Sequence, residues 1–271
     1  MESAVQKSKW IAVTAGFLSV NFEEAANRVE EDLFGLYPFT KILKFTSRNL
    51  EKCAPETLKK YEEFLREGTP GYGYYSWKPE IVQRVINGEF GECDGVMWID
   101  GGCEVFNSPW TRKKLKDQIM SAERIGCLVF ELDTPENKYT KSDVIDLFPS
   151  ANRADVSPQV QATHFFLYGD IGREIANTWF AAGLEGIHMF DHTPSRHGDP
   201  DGFVLHKSDQ SIFSITIKSL GLSERMAPPP AGNRGLLSRL RAMSSPVWVT
   251  RNRNGMSVKG SLIRLVERIF T

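Results

Sequence analysis

Residues 10–15, WIAVTA, make an unbroken apolar run that stops at Gly16, the pattern of a strand buried on both faces. EEAANRVEEDLFG follows, with Ala25, Val29, Leu33 and Phe34 near helical spacing and Gly35 as a stop, so a helix is predicted. Residues 39–46, FTKILKFT, alternate through Phe39, Lys41, Leu43 and Phe45 as a strand does. A charged helix, ETLKKYEEFLR, spans 56–66, and PEIVQRVING forms another opened by Pro79. GVMWID, 95–100, is apolar up to its final acid and reads as a central strand.

Further on, the pattern predicts a helix over 110–123, a strand over 125–132, a short helix over 140–148, a strand over 162–169 and a helix over 172–184. Residues 208–221, SDQSIFSITIKSLG, form a last helix with Ser208 as N-cap and Gly221 as its stop. Strand and helix alternate, which predicts parallel βαβ units stacked as a three-layer α/β sandwich. APPPAGNRG, 227–235, breaks the pattern and reads as a linker or strap. It divides the chain into a domain over 1–226 and a strap and tail over 227–271. The tail sets Arg234, Arg239, Arg241, Arg251, Arg253, Lys259, Arg264 and Arg268 against one acid, Glu267, while the rest of the chain is acidic. In SLIRLVERIF the apolar residues fall near helical spacing, which suits a helix packed on the domain or a peripheral contact with an anionic membrane.

Of the 271 residues 41% are apolar, enough for a full core. The net charge of −1 gives the chain as a whole no attraction to nucleic acid. Cys53, Cys93, Cys103 and Cys127 form no CxxC pair, which argues against a thiolate zinc site and a disulfide scaffold and points to a reducing, cytoplasmic setting.

Three islands carry candidate chemistry. Asp100 closes a predicted central strand, and ligands of open parallel sheets bind beyond the carboxyl ends of the strands. A carboxylate there can hold a divalent cation against a diphosphate, Glu104 can supply a second, and Gly101 and Gly102 let a ligand approach the backbone. The same residues also suit a plain glycine turn capped by Asp100. GYGYYSWKP, 71–79, offers Tyr75 and Trp77 as rings that stack on a base or sugar, and Lys78 as a point charge for phosphate. Its structural alternative is an aromatic loop folded onto the core. LHKSDQSIF, 205–213, puts Asp209 and Gln210 in the first turn of a helix beside His206. Asp209 suits a base or an acceptor-hydroxyl ligand, and equally an acid placed by the helix dipole. Thr14, Ala15 and Arg48 follow the first two strands and are candidates for the base and ribose by topology.

Taken together, GYGYYSWKPEIV, DGVMWIDGGCEVF, NKYTKSDVIDLF and HKSDQSIFSITIKSLG resemble a group of nucleotide-diphospho-sugar transferase-like proteins. That group has a pattern close to GYGYWxWKP, YxDAGCE, a YTKRD-like helix start and HRxDQSxxS. The similarity spans roughly residues 10 to 222. It implies a GT-A-like, Rossmann-like sandwich around a mostly parallel mixed sheet. It implies glycosyl transfer from a nucleotide sugar, most often a UDP sugar, to a saccharide or glycan hydroxyl, as in surface polysaccharide synthesis. On this resemblance the strand-end acid is Asp100, the Trp-Lys pair is Trp77 and Lys78, the Asp-Gln pair is Asp209 and Gln210 after His206, and Lys141 and Asp143 match the YTKRD element, which makes Lys141 a candidate for holding the donor nucleotide.

The chain departs from the pattern at Gly102, where GT-A enzymes carry the second acid of Asp-x-Asp, and at Lys207, where arginine is usual. Asp100 then holds Mg2+ or Mn2+ alone, or with Glu104 or a histidine, or the metal is dispensable. Asp209 takes the acceptor proton if the enzyme inverts; Asp209 or Gln210 sits beneath the anomeric carbon if it retains. Two other readings stay open: a sugar-nucleotide hydrolase or nucleotidyltransferase on a similar sheet, and a non-catalytic glycan-binding protein.

Overall fold

A computed structural model describes residues 8–227 and 245–249 of the chain. The strands are β1 (Trp10–Gly16), β2 (Lys41–Thr46), β3 (Gly95–Ile99), β4 (Cys103–Val105), β5 (Cys127–Pro135), β6 (Pro158–Val160), β7 (His164–Tyr168), β8 (Met226–Ala227) and β9 (Val247–Val249). The helices are α1 (Val20–Leu33), α2 (Leu50–Cys53), α3 (Pro55–Tyr61), α4 (Gly71–Tyr74), α5 (Trp77–Ile86), α6 (Pro109–Ile125), α7 (Glu136–Tyr139), α8 (Ser142–Asp146), α9 (Gly169–Gly183) and α10 (Ser208–Ser219). Seven strands form one mixed sheet in the order β2-β1-β3-β7-β5-β6, with β8 beside β5. The strap beyond Ala227 and the basic tail lie outside the described residues apart from 245–249, and so do both readings of the tail, the packed helix and the membrane contact.

The alternation of strand and helix produces parallel pairing of β1 with β2 and with β3. After β3 the chain enters β4 rather than a helix, and β7 then lies antiparallel to both β3 and β5. Each strand face is covered, as the apolar runs require. On one face α5, α9 and α10 pack over Val13, Trp98 and Phe165; on the other α1 and α6 pack over Ala12, Met97 and Phe166. This is the three-layer α/β sandwich. Ring contacts run across the first face, with Phe213 of α10 4.7 Å from both Phe165 and Trp179.

Local chemistry sets the element ends. Gly16 has no room for a side chain, since a Cβ there would meet the Phe22 carbonyl oxygen at 2.0 Å, and Ser19 caps α1 by accepting from the Phe22 amide. Ser108 and Thr111 cap α6 reciprocally, with Pro109 in its first turn. In α5 the helix begins two residues before Pro79, at Trp77, so the Trp-Lys pair is helical rather than part of a loop. Ser208 is the first residue of α10, with φ +48°, and Lys207 takes the cap position. Gly221 ends this helix in the left-handed region, as its sequence position predicts.

Arg28 of α1 ties the fold to the loop behind β3. Its guanidinium donates to the carbonyls of Gly101 and Cys103 and pairs with Glu104 at 3.1 Å, where Glu104 is fully buried. Removing one partner of such a pair leaves an uncompensated buried charge. Arg28→Met is therefore expected to lower the unfolding free energy by about 3–5 kcal/mol. Arg28→Met/Glu104→Met is expected to lose less than the single variant, measured by urea denaturation.

Candidate active site

Strands β1, β2 and β3 run in one direction, so their carboxyl ends share an edge of the sheet, and Asp100 is the first residue beyond β3. Its amide donates to the Thr163 carbonyl at 2.9 Å, which fixes the backbone. Its Oδ1 accepts from the Trp98 indole at 2.7 Å. Trp98 and Asp100 are two residues apart in extended chain and so share a face. The ammonium of Lys78, on α5, stands 3.0 Å from the same Oδ1 and 2.7 Å from Oδ2 of Asp209, on α10. Three segments far apart in sequence thus meet through one cation. Lys78 also reaches the Ala162 carbonyl at 3.5 Å and lies 5.2 Å from the Tyr75 ring centre and 5.5 Å from that of Trp98.

Burial sorts the three groups. Lys78 and Asp209 are buried, whereas 27% of the Asp100 side chain is exposed. Asp100 Oδ2 makes no hydrogen bond among the described residues. Burial alone works against the Lys78 ammonium, but Asp100 and then Asp209 outweigh it and hold its pKa above the ordinary lysine value. Burial pushes the Asp209 carboxyl up to about 6, and the negative charge of Asp100 adds to this against the attraction of Lys78.

The segment before Lys78 is wound the wrong way for L-residues. Gly71, Tyr72, Gly73, Tyr74 and Tyr75 all have positive φ, from +53° to +81°, and Tyr74 and Tyr75 donate back to the carbonyls of Pro70 and Gly71. This is one turn of left-handed helix. Each tyrosine in it costs about 1–2 kcal/mol of backbone strain. A Cβ on Gly71 would lie 2.3 Å from the Tyr75 ring, and one on Gly73 2.6 Å from Leu65, so both glycines are required by close approach as well as by φ. The Trp77 indole donates to the carbonyls of Gly71 and Tyr72, and the Phe17 ring, just after β1, lies 4.5 Å from Trp77 and 6.0 Å from Tyr72. Trp77 is buried and braces the turn; Tyr75 is half-buried over Lys78.

Several expected site residues are used elsewhere. Glu104 is enclosed and paired with Arg28, which removes it as a cation ligand. Lys141 is fully buried, its ammonium 3.1 Å from Asp191 and 3.2 Å from the Thr193 carbonyl, so it serves the 191–199 loop and not a phosphate. His206 spends both ring nitrogens on backbone: Nε2 lies 2.8 Å from the Met189 carbonyl and Nδ1 accepts from the Lys141 amide. Burial holds its pKa down to about 3, so it is a neutral strut without a nitrogen left for substrate or metal. Gly101 is small because a Cβ would press on Ala15 O and Ala26 N at 3.2 Å; its smallness serves packing on α1. Gly102, half-buried, follows it in the same turn.

Thr14 and Ala15 are buried near the end of β1, and Arg48 is exposed just after β2. Gln210 is half-buried and donates to Gln159, which itself joins the buried Glu136, Thr140 and Ser211. Asp143 accepts from the Arg196 amide, and Asp199 from the Ser142 amide, fastening the 191–199 loop across the start of α8. Sequence reasoning missed two features of the site. The Trp98–Asp100 bond was signalled by the i, i+2 spacing in WID, and the left-handed turn by the alternation of glycines in GYGYY.

Among the described residues no group of three or more His, Cys, Asp or Glu side chains is set to hold a metal ion. The arrangement offers one oriented carboxylate oxygen, on Asp100. That suits a hard cation held jointly with phosphate oxygens, the way Mg2+ commonly binds, and not an all-protein cage.

No protein-family description matches this chain, and no curated protein does. Among solved structures, it is similar to a glycosyltransferase involved in the glycosylation of the major capsid of PBCV-1, at 12% identity and TM-score 0.46 over 88% of this chain and 92% of that one. It is similar to mouse xyloside xylosyltransferase 1 at 7% identity and TM-score 0.42, over 80% and 83% of the two chains. It is also similar to the galactosyltransferase LgtC, solved with donor and acceptor sugar analogues, at 11% identity and TM-score 0.39, over 88% and 85%.

Two measurements check the triad. Lys78→Met leaves two carboxylates facing each other without a cation and is expected to destabilise the fold by about 3–5 kcal/mol, part of it recovered in Lys78→Met/Asp209→Asn. The Asp209 carboxyl should titrate near 6 in carbon-detected NMR of the folded protein, against an ordinary value of 3.8. Because the folded state holds this proton more tightly, the contribution of Asp209 to stability is fully present below 3.8 and is lost as pH rises through about 6. Wild type should therefore lose stability relative to Asp209→Asn across that interval.

Proposed function

We propose that the chain is a glycosyltransferase of GT-A type that moves a sugar from a nucleoside-diphosphate donor, a UDP sugar on the sequence resemblance, to a saccharide hydroxyl. The observation that carries this reading is the convergence of Asp100, Lys78 and Asp209 at the carboxyl edge of β1, β2 and β3. It supports the assignment because three of the four resemblance motifs contribute one member each, the fourth, around Lys141, being used elsewhere.

In this reading Asp100 presents its free oxygen to a divalent cation shared with the donor diphosphate. Such an ion would neutralise the charge that develops on the leaving nucleotide. Lys78 acts as a clamp. With its ammonium already between two carboxylates, it orients Asp100 and keeps Asp209 in place instead of meeting phosphate directly. The Trp98 indole fixes the rotation of the Asp100 carboxylate, and such partners of a ligating carboxylate matter to affinity nearly as the ligand does. Asp209 holds or releases a proton near neutrality and is the group suited to exchange one with an acceptor hydroxyl. Tyr75 lies over Lys78, and Gln210, next to Asp209 in sequence, gives its amide to Gln159; both are half-buried.

Purified protein is to be screened by thermal shift against common nucleotide sugars with and without Mn2+, then assayed for nucleotide release and for transfer to saccharides. Asp100→Asn and Asp209→Asn should each lower transfer by about a hundredfold or more while the protein stays folded. Glu104→Gln should spare Mn2+-dependent donor binding. Turnover near wild type in both aspartate variants would remove the assignment, and release of free sugar at an equal rate without acceptor would replace transferase by hydrolase.

A further inference from the structure

On the α1–α6 side of the sheet, away from α5 and α10, two large aromatic side chains stand in water. Trp110 is 68% exposed and Phe34 65%. Asn107 ties the two segments together: it donates to the Phe34 carbonyl at 3.1 Å and accepts from Arg112, two residues beyond Trp110, at 2.7 Å, which fastens the end of α1 to the start of α6. Phe34 and Arg112 line a surface hollow of about 570 Å³ together with Leu36, Tyr37, Phe39 and Lys41.

The same corner is basic. Arg112, Lys113, Lys114 and Lys116 are all exposed on the first two turns of α6. The three lysines make no ion pair among the described residues. No acid occupies the first turn of this helix. Positive charge is disfavoured at that end by the helix dipole, and an exposed indole gains nothing by folding. The fold therefore gives no account of either feature. Nor does overall charge, for the chain is net −1 and eight of its basic residues lie beyond residue 233, so the domain itself is acidic. The patch is a local exception.

We propose that this corner is a docking surface for an anionic phospholipid bilayer. Trp110, an amphipathic ring favoured in the interfacial layer, and the apolar Phe34 enter it, and Lys113 and Lys114, which flank Trp110 around α6, face the headgroups. The apolar hollow decides for a bilayer over a nucleic acid, since a phosphate backbone would use the cations and leave the exposed Phe34 and the half-buried Phe39 in water. The acidity of the remaining domain also opposes a long polyanion. This inference stands independently of glycosyl transfer.

The full-length chain is to be sedimented with vesicles of phosphatidylcholine alone and of phosphatidylcholine mixed with phosphatidylserine. It should pellet only with the anionic vesicles, and high salt should release it. Each interfacial cation is worth about fivefold in partitioning, so Lys113→Glu/Lys114→Glu should lower binding by about tenfold or more. Trp110→Phe should abolish a vesicle-induced shift of tryptophan emission to shorter wavelength, and Phe34→Ser should weaken binding at unchanged circular dichroism. The proposal fails if the chain stays in the supernatant with both compositions. It fails equally if binding is unchanged by these substitutions, which would assign it to another surface, or if single-stranded nucleic acid binds and vesicles do not.

Discussion

A buried ammonium held between two carboxylates constrains this molecule more than any other contact. Lys78 cannot lose either partner cheaply, because an ion taken out of water needs its counter-charges close and well placed. The counter-charges come from the end of β3 and the start of α10, and the cation from the start of α5. Helices and strand must therefore meet at one point to within hydrogen-bond distance. The packing above this point serves that requirement: Trp179 of α9 donates to the Asp209 carbonyl, and the rings of Trp98, Phe165 and Phe213 fill the layer between α10 and the sheet.

The left-handed turn at 71–75 is part of the same constraint. A right-handed approach to α5 would carry Tyr75 and Trp77 into other positions, and it is Tyr75 that lies over the ammonium and Trp77 that braces the chain against Phe17. Three tyrosines in the left-handed region are a standing strain of several kcal/mol by the usual estimate of about 1–2 kcal/mol each. Such strain persists only where surrounding contacts over-determine the backbone, and it concentrates at sites of function. Its coincidence with the only described lysine that bridges two buried or half-buried aspartates supports reading the turn and the triad as one device.

The sequence made much of this legible, for identifiable reasons. The long apolar runs at 10–15 and 95–100 and the helices at 20–33 and 109–125 announce themselves because burial on both faces or on one stripe leaves a periodic trace. Strands β4, β6, β8 and β9 leave none, being two or three residues long. The antiparallel direction of β7 is invisible to hydrophobic pattern, since a strand buried on both faces reads alike either way. At the site, residue type marks a charged side chain but not its partner. Asp100, Lys78 and Asp209 were singled out by motif, yet Glu104, Lys141 and His206 looked equally suited to chemistry until Arg28, Asp191 and two backbone groups were seen to occupy them. Buried polar groups nearly always find partners inside the fold, which makes an internal role the default for any one of them.

Charge balance connects the site to what it can bind. With both aspartates ionised, the triad of Asp100, Lys78 and Asp209 carries one surplus negative charge, and Glu104 is cancelled by Arg28. A diphosphate approaching this edge alone would be repelled in a partly desolvated setting where such repulsion is poorly screened. On the proposed reading the donor must therefore arrive with a cation, and the single unsatisfied oxygen of Asp100 is where the two charges would be reconciled. The same surplus accounts for Asp209: burial and the neighbouring Asp100 both favour the protonated acid, so the group stands near the point where it can exchange a proton at little cost. A second acid at position 102 would deepen the negative field and raise that carboxyl further. Glycine there is consistent with a site in which Lys78, rather than a second ligand, keeps the remaining carboxylate in register.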